Sequence, residues 1–361
     1  MNEKKNSLEG IRVIACIGVF LCHFRGAFLP DRIIGIIDYT PLKIMTAGYP
    51  MVRIMFVLSG FVISYKYFKN QKYDDVVIDV VKRWFRLFPG ILVANVIVCM
   101  MMKGGLLFNG EAAQLSGSQD FLGIFNQFTP NLFHAIKEGL FTIYLNGANG
   151  YIAPLWTMTY EFLGSILILA AISVFKGSPL RILFYVVELG FFKSYYNYLV
   201  VGMLICDIYF NAGVNEKLKE KQMFNNIVCF MAAFVICMIQ LDDTNKEIRV
   251  IYGVSLIVFF MTLLNSKWAE KTMGCSFVVS LGKISFPIYI LHWPIIESFS
   301  SWYYIKGIKL CGGGYEGTII ISDFILTAFI ILFMAKLYDK YVISLGMISN
   351  EFWKGKIKEV E

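Results

Sequence analysis

The chain alternates long apolar runs with short polar breaks. A helix needs about 20 mainly apolar residues to cross a membrane. About ten runs approach that length, over 11–28, 48–68, 88–102, 151–175, 179–192, 195–210, 223–241, 248–265, 276–300 and 317–344. The fifth and sixth are short. The pattern predicts an all-α, polytopic transmembrane bundle of about ten spans. It forms one integral membrane domain over 1–345, followed by a basic tail over 346–361. An even number of spans leaves both termini on one side, and the positive-inside bias makes that side cytoplasmic. The inner segments then hold Lys4, Lys5, Arg12, Lys66, Lys69, Lys72, Lys82, Arg83, Arg86, Lys354, Lys356 and Lys358. By this assignment roughly two thirds of the positive residues lie inside. The longest break, 103–150, faces outward and carries Phe108, Phe121, Phe125, Phe128 and Phe133. It reads either as a segment dipping into the interface or lining a substrate entrance, or as a partly ordered loop.

Composition narrows the class. The 361 residues are 57% hydrophobic and only 16% charged, against about 25% charged in soluble domains. No hydrophilic stretch is long enough for a second soluble domain. The net charge of +7 therefore reads as positive cytoplasmic loops, with the lipid bilayer as partner and no nucleic acid. The eight cysteines show neither a CxxC pair nor zinc-ligand spacing, so no metal is expected. The first apolar run lacks a small-residue cleavage site and is expected to remain as the first span.

Polar residues inside apolar spans carry the candidate chemistry, because an ionisable group at that depth faces protein or water. In Ser7 to Phe28, Arg12 and His23 lie eleven residues, or roughly 16 Å of helix, apart. That is close to three turns, so both can face one cavity; a snorkelling arginine is the alternative. In the second span Arg53 precedes Ser59 and Gly60, a pair that also suits close helix packing. Arg83 and Arg86, three apart where a cytoplasmic loop enters the third span at Pro89, present two forks suited to phosphate. They serve equally as a positive-inside anchor, with Trp84 in the interfacial belt. Glu161 falls mid-membrane in the fourth span, able to orient a histidine, take a proton or hold a sugar hydroxyl, or to pair with Arg53. In the ninth span Pro287 and Pro294 are expected to break or kink the helix. Ser285, Tyr289 and His292 recur there at offsets of four and three, on one face. His134 stands without a motif.

Five motifs in order carry a resemblance: LEGIRVIACIGVFLCHF, RIMFVLSGFVIS, RWFRLFP, LWTMTYEFL and ISFPIYILHWP. Together they resemble the acyltransferase-3 family of integral membrane acyltransferases, over most of the chain. The resemblance implies about ten helices, a cytoplasmic acyl-CoA donor, usually acetyl-CoA, and no permanently bound cofactor. The acceptor would be a hydroxyl of a cell-surface glycan, such as O-antigen, capsule or exopolysaccharide, or its lipid-linked precursor. It makes His23, Glu161 and Arg12 catalytic candidates. Arg83, Arg86 and Arg53 become donor-binding candidates, and Ser285, Tyr289, His292 and Trp156 acceptor-binding or orienting ones. The fourth motif departs from the common serine and double-acid form, carrying Thr157, Thr159 and a single acid. The last span's YDKYVIS lacks the glutamate–arginine–proline pattern. With no SGNH-type domain attached, the chain resembles the stand-alone members. The expected place is the inner (cytoplasmic) membrane. A transporter, a polysaccharide-export partner, and an acyltransferase with another acyl group or a small-molecule acceptor are the competing readings. Oligomeric state is not legible.

Overall fold

The computed structural model describes residues 6–30, 39–73, 76–147, 150–191, 194–239 and 246–344, and every regular element among them is helical. The principal helices are α1 (Ser7–Phe28), α2 (Gly48–Asn70), α3 (Val76–Lys103), α4 (Asn109–Ser116), α5 (Leu132–Lys137), α6 (Thr157–Phe175), α7 (Arg181–Phe191), α8 (Tyr196–Asn211), α9 (Gln222–Met238), α10 (Lys246–Leu264), α11 (Ser276–Lys283), α12 (Ser285–Ile295), α13 (Ser301–Cys311) and α14 (Glu316–Tyr338). Each of the ten apolar runs is mainly helical where described. Among the described residues only six helices are long and apolar enough to cross a membrane, or up to eight if two bent pairs each count as one span. The expected ten is not reached because α7, with 11 residues, and α9, with 17, are short for a bilayer. The basic tail over 346–361, and Lys4 and Lys5, lie outside the described residues.

Two further expectations are corrected. The Arg83–Arg86 stretch is not a loop leading into a span at Pro89: α3 runs unbroken through all three residues. The ninth span does break, but at Ile284, ahead of both prolines. Pro287 stands in the first turn of α12, where a missing N–H costs nothing. After Pro294 the helix widens into one π turn, Ile296–Ser300, and continues as α13.

The chain divides into two compact units. The first comprises residues up to Gly18, 34–81 and 160–283. Its centre is the α2–α8 pair. A Cβ on Gly60 would fall on the Leu199 carbonyl, and one on Gly202 on the Val57 carbonyl. Two glycines, one from each helix, thus bring the backbones together, as small residues do where lipid removes the hydrophobic drive for packing. Asp207 anchors α7 to α8, taking Arg181 on both oxygens (2.5 and 3.0 Å) and the Tyr185 hydroxyl (3.1 Å).

The second unit comprises 19–33, 82–159 and 284–361. Here the 103–150 segment is folded, with α4, α5 and a π turn over Glu138–Thr142. The Ser118 and Ser116 hydroxyls donate to the carbonyls of Gly26 and Ala27 (2.6 and 2.8 Å). The C-terminal carbonyls of a helix have no intrahelical partner, so this segment caps α1. Glu138 is buried and accepts from the backbone N–H groups of Gly150 and Tyr151 and from Asn95. Burial raises its pKa above the ordinary 4.5, while those donors and His134 pull it down.

Candidate active site

The second unit brings two of the predicted residues together. His23, five residues before the end of α1, and His292, in α12, meet with Nδ1 of the first 2.8 Å from Nε2 of the second. Their rings are nearly parallel, at 12°, with centroids 5.0 Å apart. An N–H···N bond needs one ring to donate and the other to accept. His292 is buried and His23 half-buried, and Nε2 of His23 makes no hydrogen bond among the described residues.

Aromatic rings form the walls. Trp293 meets His23 edge-on at 5.1 Å, and Phe121 lies tilted beside it at 6.0 Å. Phe20, one turn earlier on α1, meets His292 edge-on and stacks on Phe324 of α14. Phe121 and Phe125 both abut Trp293, and a Cβ on Gly26 would strike the Phe121 ring. The phenylalanines of the 103–150 segment thus enclose the pair. Such walls exclude water, which strengthens every polar interaction inside them.

Two contacts fix α12. Tyr289, one turn before His292 and 5.7 Å from it ring to ring, donates its hydroxyl to the Pro154 carbonyl (2.8 Å) and lies 2.9 Å from Thr157 Oγ1. Five residues past His292, buried Glu297 holds Asn126 Nδ2 between both oxygens, 2.9 Å to each. The Glu297 carbonyl also accepts from the Phe108 N–H. Asn126 sits at φ 57°, a left-handed conformation that asparagine tolerates better than most residues.

The other predicted residues fall elsewhere. Ser285 is buried at the start of α12, about 10 Å of helix before His292. Trp156 ends the 3₁₀ turn ahead of α6 and is half-buried. Arg83 is half-buried and Arg86 exposed, on the same face of α3. Between them Trp84 stacks on Phe88 at 4.4 Å and donates to the Leu140 carbonyl at 3.2 Å. The remaining three belong to the first unit. Arg12 pairs with Glu9, one turn earlier on α1. The buried Arg53 guanidinium lies over the Tyr198 and Tyr252 rings at 5.5 and 5.6 Å. Glu161 accepts the Ser59 hydroxyl at 2.5 Å.

A family model described as an acyltransferase domain, Acyl_transf_3, matches residues 5–337. The chain belongs to the acyltransferase-3 family. Relatives within reach of comparison are distant. The chain is similar to the O-acetyltransferase PaAT-1 of Phomopsis amygdali, 22% identical over 93% of this chain and 80% of that protein. It is also similar to a putative O-acetyltransferase of Staphylococcus aureus strain COL, 21% identical over 83% of this chain and 52% of that protein. The chain spans about half the length of the staphylococcal relatives. No solved structure gives a significant match. Family membership and the apolar helices together make this a multi-pass membrane protein.

The sequence pointed to His23, His292 and Tyr289, but not to Trp293, Phe121, Glu297 or Asn126. Phe121 was legible only as part of an aromatic-rich break. Glu297 was hidden because its offset of five from His292 matches no α-helical face; the π turn makes room for it.

Proposed function

We propose that the chain is a membrane O-acyltransferase that moves an acetyl group from a cytoplasmic acyl-CoA to a hydroxyl of a cell-surface glycan or its lipid-linked precursor. The His23–His292 pair carries the reading: an imidazole with one nitrogen engaged and the other unbonded, inside an aromatic enclosure, suits a general base. In this reading His23 takes the proton of the acceptor hydroxyl as its oxygen attacks the thioester carbonyl. The carbon–sulfur bond breaks, and the departing thiolate recovers a proton from His23. No redox step and no metal is needed.

The donor's phosphates fit the paired forks of Arg83 and Arg86, which share one face of α3, since guanidinium binds phosphate bidentately. Arg12, Arg53 and Glu161 enter as charge-bearing contributors, through the family motifs. The O-acetyltransferase names of the relatives support acetyl as the group moved. The proposed setting is the cytoplasmic membrane with both termini inside.

Membranes containing the wild type or His23→Ala, supplied with labelled acetyl-CoA, test the reading. Label should enter the glycan fraction and fall about 10²- to 10⁴-fold in the variant, the usual worth of a general base. Undiminished transfer by His23→Ala would remove His23 from the chemistry.

A further inference from the structure

One wall of the histidine enclosure is not a helix. It is a strap over 118–126, which carries no regular element. Phe121 of the strap lies beside His23 at 6.0 Å and meets Trp293 edge-on at 5.7 Å. Phe125 meets Trp293 edge-on at 5.1 Å. Leu122 is fully buried, whereas Ile124 is 59% exposed, so the strap has an inner and an outer side. Each end is latched beside one of the histidines. Ser118 donates to the carbonyl of Gly26, three residues past His23 (2.6 Å). Asn126 donates to both oxygens of Glu297, five residues past His292 (2.9 Å each). Between the latches, buried Asn109 donates to the Leu122 and Phe125 carbonyls (3.2 and 2.9 Å). Gly26 also leaves room for the Phe121 ring, which a Cβ there would meet at 2.6 Å.

A base that takes a proton from a sugar hydroxyl can equally take one from water. The water oxygen would then bond to the acyl carbon while the carbon–sulfur bond breaks. The thiolate would recover the proton from His23, and the products would be acetic acid and free CoA. A transferase that works through such a base therefore has to keep water away from it.

We propose that the strap sets the choice between a sugar hydroxyl and water. Phe121 is the specificity-determining residue, and Asn126 and Glu297 are positioning residues that hold its ring against His23. The proposal rests on the acyltransferase reading and adds to it the means of avoiding hydrolysis. The Phe121 and Phe125 rings offer water nothing to bond. A lone water entering beside them gives up hydrogen bonds that it does not regain. A pyranose instead carries an apolar C–H face, which gains from contact with such rings. The latches matter because the strap has no helix of its own to hold the rings in place; lids of this kind are what sequester a reaction from solvent.

The test counts two products. Membranes holding each protein at matched levels are given acetyl-CoA labelled in its acetyl group, and label is measured in the glycan fraction and in free acetate. Acetate that persists when His23→Ala is added to the same variant is subtracted. The wild type should put most of the label into glycan. Phe121→Ala should raise the acetate-to-glycan ratio by about 10-fold or more. Gly26→Ala, which pushes the same ring aside from α1, and Asn126→Gly, which releases one latch, should raise it by smaller factors. Phe121→Leu keeps an apolar wall and should stay near the wild-type ratio. Misfolding lowers both products together and cannot raise acetate. Should Phe121→Ala fail to accumulate, Gly26→Ala decides, because it takes no contact away. An unchanged ratio in these variants, or a wild type that releases acetate as freely as it labels glycan, overturns the proposal. Wild-type membranes that yield neither product would sink the acyltransferase reading instead.

Discussion

The two units treat polar groups in apolar surroundings in opposite ways. In the first, the two cations that the sequence singled out inside spans have local partners: Arg12 has Glu9, and Arg53 has two tyrosine rings. Arg181 and Asp207 repeat the pattern with a two-oxygen pairing. In the second, the central polar pair is two imidazoles enclosed by rings, with one nitrogen unbonded among the described residues. Buried charges must be paired or they cost several kcal/mol, which accounts for the first arrangement. A histidine lacks that constraint, because its neutral ring can be buried and still accept a proton. Depth alone therefore does not mark a residue as chemical; what is left open on it does.

The contrast can be broken most forcefully in the first unit. Gly60→Leu or Gly202→Leu places a side chain on the partner helix's backbone. Either should cost about 3 kcal/mol, the upper end of ordinary overpacking, read as a fall in thermal unfolding temperature in detergent. An unshifted temperature would mean that the α2–α8 pair is held by something other than its close approach.

Asn126→Gly probes the second unit at lower cost. Glycine accepts the positive φ but removes the donor that both Glu297 oxygens share. Leaving a buried polar group without its hydrogen-bond partner costs about 1–3 kcal/mol, so a loss near 2 kcal/mol is expected by the same assay. Unchanged stability would show that Glu297 does not hold the 103–150 segment.

The smallest effect should come from Glu138, outside the spans. Its raised pKa means that the folded chain binds this proton more tightly than the unfolded chain does. Its contribution is therefore most favourable below the ordinary value of 4.5 and is lost as pH rises through the raised value. Glu138→Gln keeps one acceptor for the Gly150 and Tyr151 N–H groups. It should flatten the dependence of unfolding temperature on pH between 4.5 and neutrality. Identical slopes for the two proteins would remove Glu138 from that dependence.

How much of this was legible in the sequence follows from what each pattern encodes. Apolar runs located the long helices but not α4, α5 or α13, which fall in the breaks between runs, because hydropathy reports the solvent of a segment. They gave ten spans where six to eight pass on length among the described residues, because a 17-residue helix such as α9 reads like a crossing until its length is seen. The offsets of four and three placed Tyr289 and His292 on one face, since periodicity reports geometry within a helix. It does not report partners, so nothing joined residue 23 to residue 292. Proline was misread as the break in the ninth span because its tolerance depends on its place in the helix. At Pro287 that place is the first turn, and the start of a helix was the boundary least visible in the sequence.

The cap on α1 also has a consequence in time. Its last carbonyls wait for Ser116 and Ser118, some 90 residues downstream, and His23 waits for a partner 269 residues away. At synthesis rates of roughly 5–20 residues per second, the first span spends on the order of ten to fifty seconds inserted before His292 is made. The histidine pair of the second unit is thus among the last contacts the nascent chain acquires. A ribosome that stalls before the ninth span leaves a chain whose His23 has no His292 to meet.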